Sequence, residues 1–297
     1  MFFRVLGRRG AGWVRPLTQC GTSVPMVPYP QPRVCSQHVV ISGSAREEEV
    51  MQTPSSSEQI NQLQSFNTCV ISDAIETFGV RLRNEGFATA GFRCLFKSLP
   101  PLVGYAATCK IRSAHPPIVG SGYVERTDWW KHITSIPSPR VVVMQDTDQE
   151  PGTGAFLGVV HVNILKALGC VGAITNGAAR ELPGIEASGF QVFAGRLAIS
   201  RAYVHIVEFG GLVEVGGLKI RPGDLLHGDR HGIINVPYDL AAKLPAVAGR
   251  IMAKKQQVVE LSKKSGTTLE ELGQALRELL DFEMDHLREG AGQCKQR

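Results

Sequence analysis

No run of apolar residues in this chain approaches the roughly 20 needed to cross a bilayer as a helix, so no membrane partner is expected. Cys-x-x-Cys spacing is also missing from its 297 residues. The seven cysteines, Cys20, Cys35, Cys69, Cys94, Cys109, Cys170 and Cys294, are odd in number and unpatterned. That argues against a disulfide framework and against a zinc site, and Cys69, Cys109 and Cys170 read as small buried hydrophobes. Acid is absent before Glu47, whereas Arg4, Arg8, Arg9, Arg15 and Arg33 all fall there. The net charge of +5 therefore rests on the first segment. Without those arginines the remainder is close to neutral, and no nucleic-acid partner is expected. The third glycine of a dinucleotide fingerprint is lacking too: Gly152 and Gly154 have no successor at the required spacing, which leaves nicotinamide and methyl-donor sites unsupported.

What is present describes a globular protein. A hydrophobic content of 43% with 20% charged residues suits one sizeable domain plus appendages. Residues 1–45 combine the arginines with Phe2, Phe3, Val5, Leu6, Trp13, Val14 and Leu17 before a Pro- and Ser-rich run. This composition reads as a mitochondrial transit peptide and predicts a matrix location. Residues 46–65, ending in the polar stretch Ser55–Gln64, read as a linker, 66–262 as the folded domain and 263–297 as a helical tail.

Within the folded part, Thr68–Gly79 has helical apolar spacing and closes on glycine. Gly104–Arg112 alternates like a strand, and Arg140–Asp146 reads as a more buried one. Between them Trp129 and Trp130 stand on a short helix, where packing onto a sheet is the commoner fate of such rings than stacking on a ligand. After the Asp146 strand come a glycine loop, a helix from about Phe156 to Leu168 and the strand Val171–Thr175, a crossover whose helix starts at the mouth of a crevice. Free amides at that helix start attract anions. Gln191–Ala194 reads as a strand, Gly210–Ile220 as a hairpin and Ile233–Pro237 as the last strand, with helices over 238–264 and 269–287.

The apolar run Gly169–Thr175 leads through Asn176 and Gly177 to the pair Arg180-Glu181. A buried strand holds whatever follows it rigidly at the lip of the core. Arg180 supplies a planar cationic fork suited to a carboxylate, and Glu181 a hard oxygen ligand or base. The bland alternative is an exposed ion pair of little consequence.

Three blocks, Gly172–Glu181, Gly189–Ala194 and Gly216–Ile234, resemble the RraA-like family in order and spacing, and the resemblance spans residues 66–255. That family includes divalent-metal 4-hydroxy-4-methyl-2-oxoglutarate aldolases that also decarboxylate oxaloacetate, and inhibitors of an RNA-degrading complex. The expected fold is a layered α/β sandwich with a mixed sheet and C-terminal helices. In the aldolases an Arg holds the substrate and the Asp after it binds the metal. Arg180 matches and Glu181 replaces the Asp with a longer carboxylate. The aldolases also carry an acid early in the preceding helix, twenty-one residues before the Arg, where this chain has Val159. Asn176 stands where the family often has Asp. The resemblance implies Mg²⁺ or Mn²⁺ on Glu181, substrate carboxylate on Arg180 and on the amides of Gly158, Val159 and Val160, and a pyruvate enolate stabilised as a C–C bond breaks. His161 offers itself for proton transfer, against the commoner fate of a helix histidine as a structural residue. His227-Gly228-Asp229-Arg230-His231 invites a metal reading, but a polar, hydrogen-bonded turn is favoured. The family also implies homotrimers or homohexamers with sites at subunit borders, where a residue from a neighbour could supply the missing acid. The readings that follow are a metal-dependent lyase of a small oxo-acid, a degenerate binding or regulatory relative, and a same-fold enzyme with another substrate.

Overall fold

The computed structural model describes residues 55–118 and 126–293, with side chains through residue 282. The transit-peptide reading of residues 1–45 lies outside them. In chain order the elements are α1 (Ser57–Gln64), α2 (Thr68–Glu76), β1 (Phe87–Ala88), β2 (Arg93–Cys94), β3 (Leu102–Arg112), α3 (Arg126–Ser135), β4 (Arg140–Asp146), β5 (Ala155–Leu157), α4 (Val159–Ala167) and β6 (Cys170–Ala179). There follow α5 (Leu182–Ala187), β7 (Gln191–Leu197), β8 (His205–Phe209), β9 (Val213–Val215), β10 (Leu218–Ile220), β11 (Leu225–Asp229), β12 (Gly232–Val236), α6 (Leu244–Lys263) and α7 (Leu269–Gln293).

The strands form one mixed sheet in the order β1-β12-β11-β3-β4-β6-β7-β2, with β5 added beside β6 and β8 beside β3. The centre, β3-β4-β6-β7, is parallel and its flanks are antiparallel. A parallel sheet needs cover on both faces, and alternate residues of each central strand show how it is supplied. Val103, Tyr105 and Ala107 of β3, with Val142 and Met144 of β4, meet the helices in one core. Leu102 and Ala106, with Val141 and Val143, meet Val213, Val215, Leu218 and Ile220 of the separate β9–β10 hairpin in a second. The strand read as alternating is thus buried on both faces, because the hairpin roofs the side that pattern would have left to water. Gly216 and Gly217, at φ 60° and 82°, make the hairpin turn, a backbone that only glycine adopts cheaply.

Two expectations need correction. The polar stretch read as a linker over 46–65 contains helix α1 at Ser57–Gln64, capped by a reciprocal pair in which the Ser56 hydroxyl accepts from the Gln59 N–H and the Gln59 side chain accepts from the Ser56 N–H. It docks through Ile60 and Leu63, one turn apart and both buried. Cys69 is not a buried hydrophobe but an exposed thiol on α2, while Cys94, Cys109 and Cys170 are buried. Trp129 packs edge-on against Phe156 at 5.6 Å between centroids, as expected of a helix on a sheet. Among the described residues no helix is long and apolar enough to cross a membrane.

Candidate anion site at the end of the central strand

Strand β6 delivers Arg180 just past its C-terminal end, where the Arg180 N–H donates to the Leu157 carbonyl at 2.9 Å. The expected long helix over 156–168 divides here. Residues 155–157 run as β5 beside β6, and α4 begins only at Val159 with Gly158 as its N-cap. The reason is local: parallel pairing to Ala178 and Ala179 holds residues 155 and 157 extended, so the helix starts where that ladder stops. The start of α4 is thereby set beside the end of β6.

Glu181 follows in a left-handed conformation, φ 59° and ψ 39°, which a non-glycine residue adopts only when its surroundings impose it. The turn folds its side chain back. Glu181 Oε2 accepts the Val159 N–H at 2.9 Å. Oε1 accepts from Arg180 Nη2 at 2.5 Å and from Nε at 3.2 Å, while Arg180 Nη1 donates to the Ile199 carbonyl at 3.1 Å. Hydrogen bonding to Arg180 first, then to the Val159 N–H, with the charges of Arg180 and Arg201 behind them, holds the Glu181 carboxyl below the usual glutamate range. A Cβ on Gly158 would lie 2.8 Å from Glu181 Oε2, so the glycine is what lets the carboxylate approach the helix end. The side chain of Val159 faces α5, with Cγ2 2.3 Å from where a Cβ on Gly184 would be. Val160 is exposed.

His161 is only 8% exposed and its Nε2 lies 3.0 Å from Arg126 Nη1. A guanidinium has no lone pair to offer, so Nε2 is the acceptor and the proton sits on Nδ1. Burial, then the charges of Arg126 and Arg201, push its pKa down to about 4 against a weaker pull from Glu181. A group neutral and hydrogen-bonded at pH 7 is a poor proton carrier there, so the structural reading of His161 prevails over the catalytic one. Asn176 is likewise structural: its side chain accepts the Asp146 N–H at 2.7 Å and donates to the Asp146 carbonyl at 2.9 Å.

Arg126 and Arg201 are site residues that sequence reasoning missed. Their charges reach His161, and that of Arg201 reaches Glu181, but they come from α3 and from the loop after β7, and no spacing links them to Arg180. Asp146 was also passed over. It is 2% exposed, is raised above its ordinary range by burial, and accepts the Gly152 N–H at 2.8 Å and the Asp148 N–H at 3.1 Å, which shapes the glycine loop before β5.

These residues fit a resident divalent metal poorly. Glu181 is the acid expected to ligate, and both its oxygens are committed to an arginine and a backbone amide. Val159 stands where a second acid was needed, Arg201 adds positive charge, and no group of three His, Cys, Asp or Glu able to hold a metal occurs among the described residues. The 227–231 segment does not change this. His227 is fully buried, bonded to the Thr68 hydroxyl at 3.0 Å and the Leu63 carbonyl at 3.1 Å. Asp229 accepts the Thr68 and His231 N–H groups in a hairpin turn.

The comparisons agree with this architecture. The RraA-like family model, described as Aldolase/RraA, matches residues 68–235. A protein of Halalkalibacterium halodurans named "Putative 4-hydroxy-4-methyl-2-oxoglutarate aldolase" is 26% identical over 157 residues, 51% of this chain and 74% of that protein. Among solved structures, an uncharacterized protein from Pseudomonas syringae pv. tomato superposes with a TM-score of 0.60 at 21% identity, covering 76% of this chain and 96% of that one. Streptomyces coelicolor RraAS2, described as an unusual member of the RNase ES inhibitor RraA protein family, gives 0.54 at 20% identity over 71% and 98% of the two chains. These two likenesses establish the fold.

Proposed function

The chain belongs to the RraA-like family, and from that premise we propose that it is a member without metal-dependent lyase activity, one that binds small oxo-acids at the Arg180 site without turning them over. One observation carries this reading: the Glu181 carboxylate occupies the guanidinium and the helix amide that a substrate carboxylate would use. An incoming oxo-acid exchanges with Glu181, its carboxylate taking the Arg180 fork and the Val159 N–H. Arg126 and Arg201 supply the positive field that draws it in. His161, neutral and bonded to Arg126, moves no proton, and Val159 offers none.

The test is the full chain with oxaloacetate, with and without Mn²⁺, following pyruvate. The expected result is no release above the spontaneous rate, together with pyruvate binding by calorimetry that weakens with salt and is lost in Arg180→Ala. Metal-dependent turnover abolished by both Arg180→Ala and Glu181→Ala would overturn the proposal. It would instead establish the second reading, a metal-dependent lyase of the aldolase type. That reading is favoured by one observation, the meeting of Arg180, its adjoining acid and the α4 amide at a single point. Assembly as a homotrimer or homohexamer and import into the mitochondrial matrix belong to the same proposal. Light scattering and N-terminal sequencing of the mitochondrial form test them.

A further inference from the structure

The Asp229-Arg230-His231 turn takes no part in the Arg180 site, yet it borders a cavity of about 490 Å³ between the α1–α2 junction and the β11–β12 hairpin. The volume is that of a small-molecule site. Its lining includes the apolar side chains of Phe66, Leu99 and Met252 and the cationic ones of Lys97 and Arg230, with the His231 imidazole beside them. A second cavity of about 190 Å³ shares Lys97, Arg230 and His231 and adds Arg93.

Asp229 answers His231 there, but no acid pairs with Lys97 or Arg230 among the described residues. Asp229 is the carboxylate on the wall, and its oxygens are spent: Oδ1 on the His231 N–H at 2.8 Å and ring at 3.0 Å, Oδ2 on the Thr68 N–H at 3.0 Å. Arg93, Lys97 and Arg230 form no ion pair among the described residues. Arg230 is held in place all the same, since Nη2 donates to the Lys97 carbonyl at 3.0 Å. Cys94 also lines the cavity; it is buried and its thiol approaches Gln191 Oε1 at 3.6 Å, while Gln191 Nε2 donates to the Phe96 carbonyl at 3.0 Å. Burial keeps that thiol protonated despite the fields of Lys97 and Arg230, so the cavity is suited to recognition and not to nucleophilic attack.

We propose that this cavity is a second ligand site, for a small organophosphate. Its phosphate monoester head meets Lys97, Arg230 and His231, and its apolar body lies on Phe66, Leu99 and Met252. A doubly charged head with three acceptor oxygens matches Lys97 and Arg230 together, with a hydrogen bond from His231, better than a single carboxylate does. A volume of about 490 Å³ suits a small molecule and not a polymer.

The full chain is titrated by calorimetry with phenyl phosphate, inorganic phosphate and benzoate. Phenyl phosphate binds saturably, and inorganic phosphate and benzoate bind at least about tenfold more weakly, because each lacks one half of the match. The double variant Lys97→Gln/Arg230→Gln, both exposed positions, weakens phenyl phosphate by at least about tenfold. Arg230→Lys, which keeps the charge and loses the fork and so guards against a folding artefact, weakens it by less. Arg180→Ala leaves it unchanged, which separates this site from the oxo-acid site. Absence of saturable phenyl phosphate binding up to millimolar concentration, full affinity in the double variant, or loss in Arg180→Ala would each overturn the proposal.

Discussion

Burial and two neighbouring arginines make His161 titrate far below an ordinary imidazole. The imidazole is 8% exposed, and burial together with Arg126 and Arg201 takes its pKa from 6.5 to about 4. At about 1.36 kcal/mol per unit, that displacement of about 2.5 units corresponds to an order of 3 kcal/mol favouring the neutral form in the folded state. The sign follows from proton uptake: between pH 6.5 and 4 the unfolded chain binds a proton that the folded chain refuses. Stability is therefore full above pH 6.5, falls as pH drops towards 4, and has lost about 3 kcal/mol from this residue by then. His227, fully buried and also lowered to about 4, adds a loss of the same direction over the same window. Imidazole ¹⁵N spectra from pH 8 to 3.5 separate the two. His161 should show the Nδ1–H tautomer with a midpoint near 4. Arg126→Gln should raise that midpoint without restoring 6.5, because burial, the larger cause, remains. A wild-type midpoint of 6 or above, or no movement in Arg126→Gln, would refute the reasoning and return His161 to the list of proton carriers.

Three other expectations follow from the packing and the donor set. Val159→Glu combined with Glu181→Asp places two carboxylates at the start of α4 and the end of β6, and Mn²⁺ affinity by electron paramagnetic resonance should rise at least about tenfold over wild type; equal affinity in the two proteins counts against the donor-set argument. Gly172→Ala puts a Cβ 2.5 Å from Leu102 Cδ1 and 2.6 Å from the Gln191 carbonyl, inside the sheet, and urea unfolding should show a loss of about 1–3 kcal/mol. Gly249→Ala in α6 meets nothing within 4 Å and should instead stabilise by about 0.5–1 kcal/mol, since glycine in a helix interior carries an entropic cost.

The sequence was legible where one physical signal dominated. β4 and β6 are apolar because both their faces are covered, and Gly216-Gly217 marks the β9–β10 turn because the turn needs positive φ. Legibility failed where contacts outweighed composition. Helix α1 is polar in six of its eight residues, SEQINQLQ, yet Ile60 and Leu63 suffice to dock it, and the only local clue was the capping pair Ser56 and Gln59. β3 alternates in sequence, but the roof over its second face is a hairpin more than a hundred residues later. At the site, Arg180-Glu181 and the α4 amides could be read from a strand, a glycine and a helix start. The folding back of Glu181 over Arg180 could not, because it depends on a left-handed residue after the strand, and neither could the arrival of Arg126 from α3 and Arg201 from the loop after β7.

The two departures from the aldolase pattern belong together in this geometry. Glutamate has one methylene more than aspartate, and from a left-handed backbone that length takes its carboxylate back across Arg180 to the Val159 N–H. An acid at position 159 would stand beside that carboxylate and repel it from the amide; valine instead packs towards Gly184 and leaves the helix end open to Glu181. Length at 181 and neutrality at 159 both favour the Glu181 carboxylate on the Val159 N–H. On the proposed reading, Glu181 competes with the ligand and does not assist it. Glu181→Gly, which also accepts φ 59° without strain, should tighten pyruvate binding measured by calorimetry without metal, and Glu181→Gly/Arg180→Ala should abolish it. If the residue served as a metal ligand in catalysis, the same substitution would destroy function and leave metal-free pyruvate binding no stronger. The sign of that single change therefore tells a gate from a ligand.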